Sequence, residues 1–170
     1  MQLLEVSKSF LHAILEADHE EADTRIILHC IHAHMETIVV SVRDTDVLVL
    51  VLSHFDKMGC SKLLMKAGTS KHPKYIPVHD IRRQLPNEQV SSILMYHEIT
   101  GCDTVSQFSG HSKKTAWRVF QEHHENLCQL GRGQLTDDIS KSAEKFIFHI
   151  YGVPEVETCG GARMKLFCMG

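Results

Sequence analysis

The chain has 170 residues, 43% of them hydrophobic and 23% charged, the make-up of an ordinary globular protein long enough to bury a proper core. Its formal net charge is −3, so it offers no global basic field of the kind many nucleic-acid binders carry. The longest apolar run, Val47–Leu52, is six residues and far too short to span a membrane.

Residues 3–16 place apolar side chains at helical spacing and predict a helix. Asp18 can cap the next one, with Glu21 as its capping-box partner. Residues 20–34 predict an amphipathic helix with Ala22, Ile26, Cys30 and Ala33 inward. The run Thr37–Val42, β-branched and apolar on both faces, predicts a buried parallel strand. Asp44-Thr45-Asp46 opens a second apolar run, VLVLVLSHF, whose periodicity fits helix and strand alike. Lys62–Lys66 predicts another strand, followed by the polar connection AGTSKHPK. Tyr75–Val78 reads as a short extended piece that Pro77 confines to an edge or a turn.

Residues 79–85 and 87–99 predict two helices divided at Pro86-Asn87, with Asn87 as the cap. A loop rich in Gly, Ser and Thr follows. Lys113–Leu130 then predicts the longest helix, ended by Gly131 and Gly133, and a further helix covers 137–150. Strands alternating with helices imply an α/β domain with a parallel sheet.

Three short acidic motifs stand out. Glu21 and Asp23 lie in the first turn of a predicted helix, Asp44 and Asp46 follow a predicted strand, and Asp103 follows a helix within Gly101-Cys102-Asp103. Functional groups of open α/β sheets collect at the carboxyl ends of the strands. Clustered carboxylates repel one another unless a cation neutralises them, and hard oxygen donors suit Mg²⁺ or Mn²⁺. The plainer alternative makes Asp44 and Asp46 turn residues, with Glu21 and Asp23 complementing a helix dipole.

The segments EEADTRIILH, VSVRDTDVLVLVL and NEQVSSILMYHEITGCDTVSQFSGHSKKTAW resemble three successive signatures of the PIN-like, flap-endonuclease (XPG-like) nuclease superfamily. In that family a helix opens with E-A-E, a strand leads into D-x-D, and a helix ends at L-G-x-D before a G-x-G-x-K-x-A loop. The resemblance covers roughly residues 19–125, and it is nearest to a metazoan group with EEADT, DTDVLVL and TGCDT motifs linked to mobile elements. It implies a PIN-like parallel sheet with flanking helices, a helix-loop-helix DNA-binding element at about 88–125, and hydrolysis of phosphodiester bonds in structured DNA or RNA. Residues 1–18 then form an N-terminal helix and 126–170 a helical C-terminal extension.

Carried over by resemblance, Asp23, Asp44, Asp46 and Asp103 are the catalytic carboxylates. Glu21 joins them as metal ligands to Mg²⁺ or Mn²⁺. The family uses two such ions to activate water and stabilise the leaving oxygen. Its loop grips duplex backbone through main-chain N–H groups and a monovalent cation, which corresponds here to 104–113. Gly110, Ser112, Lys113 and Lys114 take the nucleic-acid-binding positions, with Ser112 where the family has its second glycine. The alternative for Lys113 and Lys114 is a solvated helix start, and Trp117 is assigned to the core rather than to base stacking.

Two further aspartates, which the family draws from an N-terminal strand, have no counterpart in residues 1–18, so the sheet is expected to lack its first strand and the site to support one ion. The expected chain is truncated at both ends. Three readings follow: a metal-dependent nuclease or its core, a non-catalytic nucleic-acid-binding or interaction module of a mobile-element-related protein, and a fragment without independent activity. The His and Cys clusters, His29-Cys30-Ile31-His32-Ala33-His34 and His123-His124 with Cys128, offer no closed four-ligand set for zinc and are assigned to helical packing. Six scattered Cys without C-x-x-C spacing, with no signal-like start, place the protein inside the cell, nuclear or cytoplasmic, with its thiols reduced. No membrane and no small-molecule cofactor are expected.

Overall fold

The computed structural model describes residues 22–69, 71–102 and 108–169. The helix expected at 3–16, the Asp18 cap, Glu21 and Asp103 therefore lie outside the described residues. The protein is α/β, with a small three-stranded mixed sheet and, among the described residues, seven α-helices. The chain divides between Gln84 and Leu85 into two compact units.

In the first unit, α1 (Ala22–His32) turns back at His34, the one described non-glycine with positive φ (48°), into β1 (Thr37–Val40). Ile38 and Val40 are buried while Val39 is 52% exposed. Thus β1 alternates between covered and open faces rather than being covered on both, as its apolar run predicts. The following run folds as helix α2 (Thr45–His54). Ten residues exceed the usual strand, and the Asp44 carboxylate accepts the Asp46 N–H at 2.9 Å, closing one of the orphan donors of a first helical turn. Val47 and Val51, one turn apart, are fully buried, each contributing roughly 1.5–3 kcal/mol of apolar burial.

A 3₁₀ turn (Phe55–Lys57) leads to β2 (Lys62–Gly68), which pairs parallel with β1, Thr37 opposite Lys62 and Val40 opposite Met65. β3 (Pro73–Pro77) pairs antiparallel with β2, from Gly68 opposite Pro73 to Leu64 opposite Pro77. The sheet is mixed, not all parallel, because the connection expected after Lys66 is instead a hairpin whose arms extend both strands. Gly68 makes that hairpin possible. Its φ is +83°, and a Cβ there would lie 2.5 Å from the His72 carbonyl oxygen. Pro77 ends the edge strand, as its missing N–H requires. Helix α3 (Val78–Gln84) returns along β2, held by Arg82, whose guanidinium donates to Asp56 Oδ2 at 2.7 and 3.2 Å.

In the second unit, α4 (Asn87–Ile99) starts after Pro86, which occupies the cap position. Asn87 is therefore the first helical residue rather than the cap. Helix α5 (Lys113–His123) is followed by a 3₁₀ turn (His124–Leu127), so the long helix expected over 113–130 stops early. The longest helix among the described residues is α6 (Asp137–Ile150), 14 residues capped by the Thr136 hydroxyl. Gly131 and Gly133 both adopt positive φ (75° and 84°), which ends the preceding segment as expected. Phe120, Leu127 and Phe146 are fully buried, and Phe120 packs against the rings of Tyr96 and Trp117 at 4.7 and 5.3 Å between centroids. Trp117 is thus a packed ring, as assigned. Phe148, Val153 and Ala162 form a smaller cluster that seats α7 (Cys159–Met169). No helix among the described residues is long and apolar enough to cross a membrane.

Candidate metal centre

Three of the five expected carboxylate ligands are described, all in the first unit. Asp23 sits half-buried in the first turn of α1, and Asp46 half-buried in the first turn of α2. Asp44 is exposed at the N-cap of α2. Helices α1 and α2 pack on each other. A short link joins α1 to β1. Asp44 and Asp46 follow β1 after the three-residue link 41–43, on the carboxyl side of a parallel strand, where ligand groups of α/β sheets collect.

Asp44 has a structural job. Its Oδ1 accepts the Asp46 N–H, and its backbone carbonyl accepts the Leu48 N–H at 3.3 Å. A carboxylate has two oxygens, so capping leaves Oδ2 for another partner. The turn-residue alternative is thus partly realised: Asp44 is structural, as a helix cap. Among the described residues, no three His, Cys, Asp or Glu side chains converge into a ready metal site.

The loop positions fall in the second unit. Ser112 is the N-cap of α5, its Oγ accepting the Thr115 N–H at 3.3 Å, with φ at −81°. A serine is natural there, and no glycine is required. Gly110 carries the left-handed backbone instead (φ +76°). The Lys113 ammonium donates to His97 Nδ1 at 3.2 Å, and its carbonyl accepts the Tyr96 hydroxyl at 3.0 Å. These bonds tie Lys113 to α4, whereas Lys114 is exposed.

The cysteines and histidines range from buried to exposed positions: Cys30 and Cys60 are buried, whereas Cys159, Cys168, His29 and His34 are exposed. All six cysteines are free, and burial pushes the Cys30 and Cys60 thiols up, away from the thiolate that a soft metal needs. In the second unit the rings of His123 and His149 stack at 3.7 Å and 22°, and the Cys128 thiol points at the His124 carbonyl (3.5 Å). Burial, and then the neighbouring His123 and Lys145, hold the His149 imidazole below its usual range.

Two basic residues that sequence reasoning passed over share the strand ends. Arg43, directly before Asp44, and Lys66, near the end of β2, line a cleft of about 390 Å³. Arg43 lies three residues past β1 and Lys66 within β2, and the register of the two strands, which the sequence does not show, brings them to one cleft. No known protein family, curated protein or solved structure matches this chain.

Proposed function

We propose that the chain is a PIN-like, metal-dependent nuclease domain acting on phosphodiester bonds in DNA or RNA, with Asp23, Asp44 and Asp46 as its described metal ligands. The observation that carries this reading is the position of Asp44-x-Asp46 at the carboxyl end of a parallel strand, in a unit whose α1 presents Asp23 in its first turn. The resemblance adds Glu21 and Asp103. The donors are hard carboxylate oxygens, which fits Mg²⁺ or Mn²⁺ and disfavours a soft metal. Such ions keep several waters and are commonly held by one or two carboxylates plus substrate phosphates, so a closed cage of protein ligands is not the arrangement to expect.

A bound divalent ion supplies charge neutralisation at the phosphate and a more acidic water. The chain's own part is to hold that water and the phosphate in place. Asp44 is well prepared for this. Its cap bond fixes one oxygen and hence the direction of the other, which lowers the ordering cost of ligation. Asp46, on the same first helical turn, is held by the helix backbone itself.

The cap bond also favours a second reading, because it accounts for Asp44 without a metal. On that reading the chain is a non-catalytic nucleic-acid-binding or interaction module. Calorimetric titration of Mn²⁺ into the whole chain, beside Asp44→Ala/Asp46→Ala, separates the two. Binding that the double substitution abolishes supports the nuclease reading. A folded wild-type chain that binds no Mn²⁺ leaves the non-catalytic one.

A further inference from the structure

The cleft at the end of β1 and β2 has a chemistry that the carboxylates do not explain. It is lined by Ser41, Arg43, Lys66, Gly68 and Thr69, with a volume of about 390 Å³. Arg43 and Lys66 are both exposed, and neither forms an ion pair among the described residues. Two cations held on one cleft repel each other, and nothing in its lining offsets their charge. Elsewhere in the same unit arginines do find carboxylates: Arg82 pairs with Asp56, and Arg83 with Asp80.

Val42 and Ala67 also line the cleft, and the other lining residues add polar groups. Gly68 brings main chain to the wall where a side chain cannot stand, since a Cβ would strike the His72 carbonyl oxygen at 2.5 Å. The Thr69 hydroxyl accepts the His72 N–H at 3.2 Å, which leaves its own proton to donate. Ser41 adds a second hydroxyl. Lys71 and Lys74 follow on the same β2–β3 hairpin and are exposed, so the positive charge continues beyond the cleft.

We propose that this cleft is a phosphate subsite, in which the Arg43 guanidinium grips two oxygens of a phosphate and Lys66 neutralises its charge. Given the nuclease-like reading, on which this identification rests, the phosphate belongs to a nucleic-acid strand at a position other than the one being cut. Arg43 and Asp44 are adjacent in sequence, so the cleft and the carboxylates would hold neighbouring parts of one strand. A backbone phosphate positions the chain without reading its sequence.

The test uses the full chain in chelator, so that it does not depend on metal. A labelled single-stranded oligonucleotide is titrated by fluorescence anisotropy, and inorganic phosphate by phosphorus NMR. Wild type is compared with Arg43→Gln/Lys66→Gln and with Asp44→Ala/Asp46→Ala. Wild type is expected to bind both ligands. The basic-pair variant should bind the oligonucleotide at least tenfold more weakly, with its salt slope reduced by about 0.7, the value for one phosphate that is no longer neutralised. The acidic-pair variant should bind as well as wild type or more tightly, even if its Mn²⁺ binding is gone. Should the basic pair fail to fold, Lys66→Gln alone, on an exposed strand position, should weaken oligonucleotide binding and lower the salt slope in the same direction by less. Oligonucleotide binding equal in wild type and basic variant overturns the proposal, as does absence of binding to either ligand. Binding of inorganic phosphate alone overturns the assignment to a strand.

Discussion

Asp44 is where structural and functional roles can be pulled apart. Replacing it by Ala removes the acceptor of the Asp46 N–H (2.9 Å) and any carboxylate ligand at once. Loss of an N-cap costs about 1 kcal/mol. That lowers the melting temperature by about 2–8 °C, the larger shift applying if the first unit unfolds alone and the smaller if all 170 residues unfold together. Replacing it by Ser keeps an oxygen that can cap but removes the charge. Asp44→Ser should then lose only the charge–dipole part, about 0.3–1 kcal/mol, while Mn²⁺ affinity falls at least about tenfold, as it does even for groups that merely support a ligand. Thermal unfolding followed by circular dichroism, with calorimetric Mn²⁺ titration of the same samples, reads both quantities. An Asp44→Ser chain that binds Mn²⁺ like wild type would show Asp44 to be a cap and nothing more. An Asp44→Ala chain as stable as wild type would refute the capping argument itself.

Gly68→Ala should destabilise the first unit by more than about 2 kcal/mol, since left-handed backbone alone costs an L-residue about 1–2 kcal/mol and the new Cβ would overlap the His72 carbonyl. Gly110→Ala, with nothing within 4 Å of its Cβ, should cost only the backbone share. Urea unfolding compares the two, and equal effects would count against the hairpin argument. Phe120→Ala, at a fully buried position between Tyr96 and Trp117, should cost about 3–5 kcal/mol, visible as a large drop in the urea midpoint. The His149 imidazole is held below its usual range by burial, then by His123 and Lys145. The unfolded chain therefore takes up this proton first as pH falls below about 6.5, and stability is lost from there down through the folded pKa. His149→Gln should flatten that part of the pH–stability curve, and an unchanged slope would show that the stacked pair carries no such linkage.

Much of the local structure was legible because it is set within a few residues. The limits of α6 follow from Thr136 as cap and the Tyr151-Gly152 turn, and the edge position of β3 follows from Pro77. The mixed sheet was not legible, because the hairpin after Lys66 depends on Gly68 taking positive φ beside His72, an approach between residues that composition treats as loop. Likewise, VLVLVLSHF reads equally as strand or helix until the Asp44 cap bond is counted, and Val39 looks buried until the open face of β1 is known. For the candidate site, the carboxylates are singled out by their motif alone, whereas Arg43 and Lys66, 23 positions apart, come to one cleft only through the parallel register that sets Val40 beside Met65.

The same register bears on what the net charge implies. A value of −3 for the whole chain counts against a nucleic-acid partner only if charge acts at a distance. At physiological ionic strength the screening length is about 8 Å, so what a phosphate meets is the local arrangement. At the carboxyl end of β1 and β2 the two signs are sorted by element. Asp44 and Asp46 stand at the start of α2, and Arg43 and Lys66 line the cleft at the strand ends. A polyanion and a divalent cation need opposite charges in adjacent places, and such a pair sums to nearly nothing in a composition count. A near-neutral chain can thus carry a phosphate cleft and a cation site side by side, and the distribution rather than the sum is the quantity that the oligonucleotide and Mn²⁺ titrations measure.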